Sequence, residues 1–266
     1  MADEKGPDAA GGGRILVLDK VFAVFDLLAR EGVGLRIIDI QRGLGIPRPT
    51  VHRILAMLVE HGYVVRDESD RFVLGIRLYE LGMSVHATSS ALDTIRAELE
   101  AIADELDATC YLSVRRGDVA MCLVRIDRGP VQITDYQVGE TLPLTVGGGP
   151  KILLAGMGDA ELEAVLTSAR LPVYTVNTLS EHQDVLNAIA RIRETGFAVG
   201  PGDHVEIETA IGVPLKDCSG TSAGAISVAL VQPRPLDGEL ERIVARLQIG
   251  AARLAQRTWR AAEIVR

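Results

Sequence analysis

Hydrophobic side chains recur at helical spacing through the first part of the chain. Residues 15–30, ILVLDKVFAVFDLLAR, place apolar positions three and four apart, which is typical of an amphipathic helix. LRIIDIQRGLG then predicts a second, short helix that ends at Gly45. Pro47 suits the start of a third helix, which Gly62 closes. The apolar stripe of this third helix consists of Val51, Ile54, Leu55 and Leu58.

Two short β-like runs follow the third helix. YVVRD and RFVLG are joined by ESD, a pattern that predicts a small hairpin. Three helices and a hairpin, with a glycine-containing turn between the second and third helices, are typical of a winged helix-turn-helix. We expect this domain over residues 14–75, after a disordered tail of residues 1–13 that is rich in Gly, Ala and Asp.

The rest of the chain mixes helical and strand-like periods. Residues 76–107 are predicted to be helical, and residues 76–91 are expected to link two domains. From Thr109 onward, TCYLSVRR, VAMCLVRID, PVQITDYQ, FAVGP, ETAIGVPLKD and AGAISVALV are strand-like. KILLAGM, DAELEAVLTSA, EHQDVLNAIARIRETG and the chain after about Leu236 are helical. The mixture lacks a regular βαβ alternation, so residues 92–266 are predicted to form an α+β domain.

The third predicted helix is polar at its front and apolar along its later turns, where Leu55, Met57, Leu58 and Val59 are expected to pack. In a helix-turn-helix, the N-terminal residues of the second helix of the motif meet base edges in the major groove. Residues 36–53 hold four arginines and one acidic residue. An ordinary three-helix bundle with a solvated arginine face is the alternative. The predicted DNA contacts are Arg36, Arg48, Thr50, His52, Arg53, Arg66 and Arg71.

Composition narrows the class of protein. The formal net charge of −8 argues against nucleic acid coating the whole surface, but a local basic patch is sufficient for binding. Cys110, Cys122 and Cys218 form neither a disulfide framework nor a zinc site, and all three are predicted to be core residues in strand-like runs. No stretch has the pattern of a signal peptide or a membrane span, so we expect a soluble, cytoplasmic protein with no membrane partner.

The VGGGPK segment is the clearest candidate binding loop in the second domain. Glycines before a helix start leave backbone N–H groups open, and a helix N-terminus favours an anion. A plain flexible loop is the alternative, and the Walker A pattern is absent.

Five residues that lie close in sequence are candidates for a metal site or a Cys–His nucleophile pair: Asp203, His204, Glu206, Glu208 and Cys218. Alternation along an edge strand would place His204, Glu206 and Glu208 on one solvated face. No nucleophile, base and orienting group emerge together, so no catalytic residue, metal or cofactor is expected.

Four segments resemble the IclR family of bacterial transcriptional regulators: GIPRPTVHRILAMLVEHGYVVRDESDRFVLGIRLYELG, GGGPKILLAG, IRETGFAVG and GVPLKDCSGTSAGAISVAL. The resemblance covers nearly all of the chain after about residue 14. It implies an N-terminal winged helix-turn-helix, a linker helix and a mixed α/β, GAF-like domain that binds a small organic effector, often a carboxylate or aromatic acid. It further implies a homodimer or a dimer of dimers on double-stranded DNA, and we expect a pseudo-palindromic operator.

The resemblance also implies which residues meet the effector. Pro150 stands where glycine is usual, Gly200 takes the place of an acidic residue with Asp203 nearby, and Ala210 that of a polar one. These departures predict a less polar pocket than in relatives that hold very small acids. The implied effector contacts are Leu142, Gly148, Gly149, Pro150, Lys151, Asp203, Ala210 and Ser227.

The alternative function is a small-molecule enzyme or sensor with an incidental helical N-terminal domain.

Overall fold

The computed structural model describes residues 16–88, 90–128, 136–168, 171–232 and 238–257. The predicted tail of residues 1–13 and most of PVQITDYQ lie outside this part of the chain. The described helices are α1 (Leu16–Glu31), α2 (Ile37–Leu44), α3 (Arg48–Glu60), α4 (Ile76–Thr88), α5 (Ser90–Leu106), α6 (Gly148–Ala155), α7 (Asp159–Ser168), α8 (His182–Thr195) and α9 (Glu239–Ala255). The described strands are β1 (Val64–Arg66), β2 (Phe72–Leu74), β3 (Thr109–Arg116), β4 (Val119–Ile126), β5 (Thr141–Pro143), β6 (Ala198–Pro201), β7 (Thr209–Lys216) and β8 (Ser222–Leu230).

The chain divides into two compact units, and the first ends at Thr88. Its three N-terminal helices and its antiparallel β1–β2 hairpin confirm the predicted winged helix-turn-helix. Gly45 adopts the left-handed conformation at the end of α2, with φ of 63°, and Pro47 caps α3, so the turn between these helices is short. The core of this unit consists of Val24, Leu27, Leu28, Ile40, Ile46, Val51, Ile54, Leu55, Leu58, Val64 and Phe72.

The hairpin is tied to the helices through the segment before α2. The backbone N–H of Leu35 donates to the carbonyl of Phe72 at 3.0 Å, and the N–H of Phe72 donates to the carbonyl of Leu35 at 2.8 Å. The ring of Phe72 is buried among the helices. The wing is therefore held against the helical part of the unit by both backbone bonds and apolar packing.

The second unit is built on an antiparallel sheet with strand order β5-β4-β3-β8-β7-β6. Side chains alternate along β8: Ile226 and Val228 pack with α5 and α9, whereas Ala225 packs with α6 and α8. Helices thus cover both faces of the sheet, which confirms the α+β prediction. β5, a strand of three residues, was not predicted.

One of the cysteine predictions was wrong. Cys110 and Cys122 are buried, and burial raises the pKa of each thiol to about 12. Cys218 is exposed, because it lies in a turn between β7 and β8. The Asp217 carboxylate stabilises this turn by accepting hydrogen bonds from the backbone N–H groups of Ser219 at 2.8 Å and Thr221 at 3.0 Å.

Candidate functional site

The N-terminal end of α3 presents a basic surface. Arg48, His52 and Arg53 are exposed and Thr50 is half-buried, since the apolar stripe of α3 faces the core. Within the described residues, neither Arg48 nor Arg53 has an acidic partner at ion-pair distance. The first turn of α3 contains no acidic residue either. The helix therefore combines the positive end of its dipole with arginine side chains that are available to an anion.

The other predicted DNA contacts have intramolecular partners. Arg36 pairs with Asp39 at 3.2 Å at the start of α2, and Arg66 pairs with Asp70 at 2.7 Å in the hairpin. Arg71 donates to the backbone carbonyl of Gly34 at 3.1 Å. The structure thus separates arginines that brace the wing and the start of α2 from those on the outer face of α3.

The later turns of α3 are less buried than the sequence predicted. Leu55 and Leu58 are buried, but 53% of Met57 and 39% of Val59 are exposed. The prediction that these two side chains pack was wrong, because the core covers only one side of the helix. Met57 follows Arg53 by four residues, so an apolar side chain lies on the same exposed helix face.

A small cavity lies in the second unit: a water-sized sphere can enter about 30 Å³ of it, within about 340 Å³ of unoccupied space that includes open solvent. Six of the predicted effector contacts line it: Leu142, Gly148, Gly149, Pro150, Ala210 and Ser227. The lining also contains Ala229 and Gly147, which belongs to the predicted VGGGPK loop. The other lining residues, Tyr111, Tyr136, His204, Glu208 and Val228, were not assigned to a pocket wall by sequence reasoning.

The start of α6 touches the backbone of the sheet. A Cβ atom on Gly148 would lie 2.7 Å from the backbone nitrogen of Gly212 in β7, and one on Gly149 would lie 3.0 Å from Oγ of Ser227. Gly147, the residue before α6, has φ of 77°. The glycine run is therefore required by close packing as well as by backbone conformation. It also brings to the cavity the N–H groups of Gly148 and Gly149, which lack intrahelical partners; Pro150 has no N–H, and the N–H of Gly147 donates to Asp203.

Lys151 and Asp203, the remaining predicted effector contacts, form a buried ion pair with each other. The Asp203 carboxylate also accepts a hydrogen bond from the backbone N–H of Gly147 at 3.0 Å. The backbone carbonyl of Asp203 accepts a hydrogen bond from Oγ1 of Thr178 at 2.6 Å. Neither Lys151 nor Asp203 is among the described residues that line the cavity. The structure places them as a brace between α6 and the turn after β6.

Glu208 is a buried acid in the cavity wall. The edge-strand interpretation of His204, Glu206 and Glu208 was wrong: β6 ends at Pro201, β7 begins at Thr209, and a turn lies between them. Only 6% of Glu208 is exposed. Burial is the main cause that raises its pKa to about 7, the Asp203 carboxylate raises it further, and the Arg125 guanidinium lowers it. Glu208 therefore titrates near neutral pH.

The five residues considered for catalysis are not assembled as a site. Glu206 and Cys218 are exposed, and Asp203 is held by Lys151. Among the described residues, no three His, Cys, Asp or Glu side chains are placed to share a metal ion. No described helix has the length and apolar composition needed to cross a membrane.

Comparisons with known proteins agree with both halves of this structure. A family model of the IclR helix-turn-helix domain matches residues 17–68, and one of the bacterial transcriptional regulator IclR C-terminal domain matches residues 86–256. The Escherichia coli K12 HTH-type transcriptional regulator XynR is 25% identical over 232 residues, which cover 87% of this chain and 92% of that protein.

Solved structures show the same fold. The crystal structure of an IclR transcriptional regulator from Alicyclobacillus acidocaldarius has a TM-score of 0.80 at 24% identity, and the match covers 91% of this chain and 98% of that one. An IclR homologue from Microbacterium hydrocarbonoxydans, solved in complex with 4-hydroxybenzoate, has a TM-score of 0.74 at 24% identity, with coverages of 90% and 97%.

Proposed function

Because the chain belongs to the IclR family of bacterial transcriptional regulators, we propose that it binds operator DNA through the front of α3 and an effector in the cavity of the second unit. The protein is a DNA-binding transcriptional regulator with an effector-binding domain. The observation that carries the DNA assignment is the exposed, acid-free N-terminal end of α3, whose Arg48 and Arg53 have no acidic partner among the described residues.

The chemistry of this surface fits duplex DNA. Arginine forms bidentate hydrogen bonds with guanine edges or with phosphate oxygens, and a helix N-terminus favours the phosphate charge. Thr50 and His52 provide hydrogen-bonding groups on the same end of the helix. We assign flanking phosphate contacts to Arg36, Arg66 and Arg71. To bind a phosphate, each of these side chains has to leave its partner within the protein.

We further propose that the protein acts as a homodimer or dimer of dimers on a pseudo-palindromic operator. The helix α4 exposes Ile76, Tyr79 and Met83, whose spacing places them on one helix face, and exposed apolar side chains that share a face are typical of protein–protein contacts. A two-fold dimer places two copies of α3 in half-sites about one helical turn of DNA apart, or a multiple of it. We also propose that the protein is located in the cytoplasm, where it meets its operator.

The proposed effector is a small organic acid. Its acidic group suits the glycine-lined start of α6, where helix geometry leaves N–H groups open. A relative of the same fold was solved with 4-hydroxybenzoate. The effector changes operator affinity only if it binds the DNA-competent and DNA-incompetent arrangements of the protein with different affinities. A coupling free energy of about 1–3 kcal/mol between the effector and DNA sites is typical. It acts as a ligand and is released chemically unchanged.

Operator binding by single variants tests the DNA assignment. Arg48→Ala and Arg53→Ala should each weaken binding by about 10-fold or more if the arginine meets a base, because such a pair contributes about 1–3 kcal/mol. A variant that loses only a phosphate contact should show a salt dependence that is shallower by about one unit of slope. Titrations at two salt concentrations separate the two cases.

Arg191→Ala is the matched control, because Arg191 is exposed on α8 in the other unit and its removal changes net charge by the same amount. It should bind like the unaltered protein. If Arg48→Ala and Arg53→Ala also retained full affinity at both salt concentrations, α3 could not be the recognition helix.

A further inference from the structure

Two buried polar atoms in the cavity wall lack a hydrogen-bond partner among the described residues. They are the hydroxyl of Tyr111 and Oε2 of Glu208. Both residues line the cavity, and their exposed fractions are 4% and 6%. Buried polar atoms are almost always hydrogen-bonded, since leaving one without a partner costs about 1–3 kcal/mol. A ligand in the cavity is the natural source of the missing bonds.

The cations near Glu208 form their ion pairs with other carboxylates. Lys151 pairs with Asp203, and Nε of Arg125 donates to Asp127 at 2.8 Å. Among the described residues, no cation lies within ion-pair distance of the Glu208 carboxylate. Glu208 is therefore a hydrogen-bond acceptor, or a donor when protonated, that remains available to a bound molecule.

Tyr111 complements Glu208. Burial raises the pKa of the Tyr111 phenol well above its usual range, so the group keeps its proton and can donate it. A ligand hydroxyl is the group that serves both residues, because it can donate to Glu208 while it accepts from Tyr111. An ammonium group has no acceptor for Tyr111, and a second carboxylate would be repelled by ionised Glu208.

We propose that Glu208 and Tyr111 are specificity-determining residues that select a hydroxy acid as the effector, with the acidic group at the start of α6 and the hydroxyl at these two side chains. The inference rests on the proposed function, since it assumes that an effector occupies this cavity. It assigns a role to two residues of this chain and so goes beyond the expectation of a small organic acid.

Matched ligands test the selection. The probes are benzoate with its three monohydroxy isomers, propionate with lactate, and, as charged competitors, 4-(aminomethyl)benzoate and terephthalate. Binding is measured by calorimetry and by the rise in melting temperature, which reports any ligand that prefers the folded protein. At least one hydroxy acid should bind about 10-fold or more tightly than its parent acid, because it satisfies buried groups that the parent leaves without partners.

Variants assign that preference to its residues. In Glu208→Leu and Tyr111→Phe, the ratio of affinities between the hydroxy acid and its parent should fall towards one, while binding of the parent acid persists. Glu206→Gln is the control, because Glu206 is exposed in the same turn and is not part of the cavity lining. It should keep the full ratio. Circular dichroism and the melting temperature without ligand establish that each variant is folded.

The outcomes separate this inference from the proposed function. Equal binding of parent and hydroxy acids, an unchanged ratio in both Glu208→Leu and Tyr111→Phe, or preference for the amine or the diacid would overturn the selection by these residues and leave an effector cavity in place. If no probe bound while operator DNA was still bound, the assignment of this cavity to a small organic acid would itself be overturned, and the selection with it.

Discussion

Replacing Glu208 with glutamine should remove a dependence of protein stability on pH. The carboxyl of Glu208 has a pKa of about 7 in the folded protein, against 4.5 for an unperturbed glutamate. The folded state therefore holds this proton more strongly than the unfolded chain does. The contribution of Glu208 to stability is fully present below about pH 4.5 and is lost as the pH rises through about 7.

The magnitude follows from the gap between the two pKa values. That gap is about 2.5, and each pKa unit corresponds to about 1.4 kcal/mol, so the whole loss at alkaline pH is about 3 kcal/mol. About 2 to 3 kcal/mol of it falls between pH 5 and pH 8. Glutamine has nearly the same size and keeps a carbonyl acceptor, but it does not titrate.

Urea unfolding followed by circular dichroism at pH 5, 6, 7 and 8 measures this difference. The free energy of unfolding of the unaltered protein should fall relative to that of Glu208→Gln as the pH rises. The groups around Glu208, which are Asp203, Arg125, Tyr111 and His204, are the same in both proteins, so the difference between the two curves isolates Glu208. Stability curves that stay parallel across this range would refute the assignment of a buried, nearly neutral acid.

Two further substitutions test how the cavity is built. Lys151→Met should reduce the free energy of unfolding by about 3–5 kcal/mol in the same urea assay, because it leaves the Asp203 carboxylate buried without its cation. Lys151→Met combined with Asp203→Leu should recover much of that loss, whereas a small loss in the single variant would contradict the buried pair. Gly148→Ala should cost about 1–3 kcal/mol and abolish ligand-induced stabilisation, because the new Cβ meets the backbone of Gly212; unchanged ligand affinity would show that α6 tolerates displacement from β7.

The DNA-binding unit could be predicted largely from local patterns. The apolar stripe of α3, the short turn at Gly45 and Pro47, and the alternating hairpin each depend on neighbouring residues, and the structure contains all of them. What the pattern did not show is which arginines are already paired. Arg71 donates to the carbonyl of Gly34, which is far away in sequence, so only the folded chain shows that contact.

The ligand cavity was predictable only in part. The glycine run marked the start of α6. The other two residues lie far from it in sequence: Tyr111 reaches the cavity from β3, and Glu208 reaches it from the turn after β6. The sequence around Glu208 alternates charged and apolar residues as an exposed edge strand would, and nothing local reveals that the Glu208 side chain is buried. Cys218 is a contrasting case, because the DCSG segment carries recognisable turn residues that a reading of apolar runs overlooked.

The contact between Gly148 and Gly212 limits which positions can be substituted when this protein is redesigned as a biosensor. Where main chain touches main chain, an added side chain has to push the two backbones apart, so substitutions in that portion of the wall are costly. A combinatorial library aimed at new effectors is therefore better directed at Tyr111, Glu208 and Ala210, which line the same cavity from other parts of the fold.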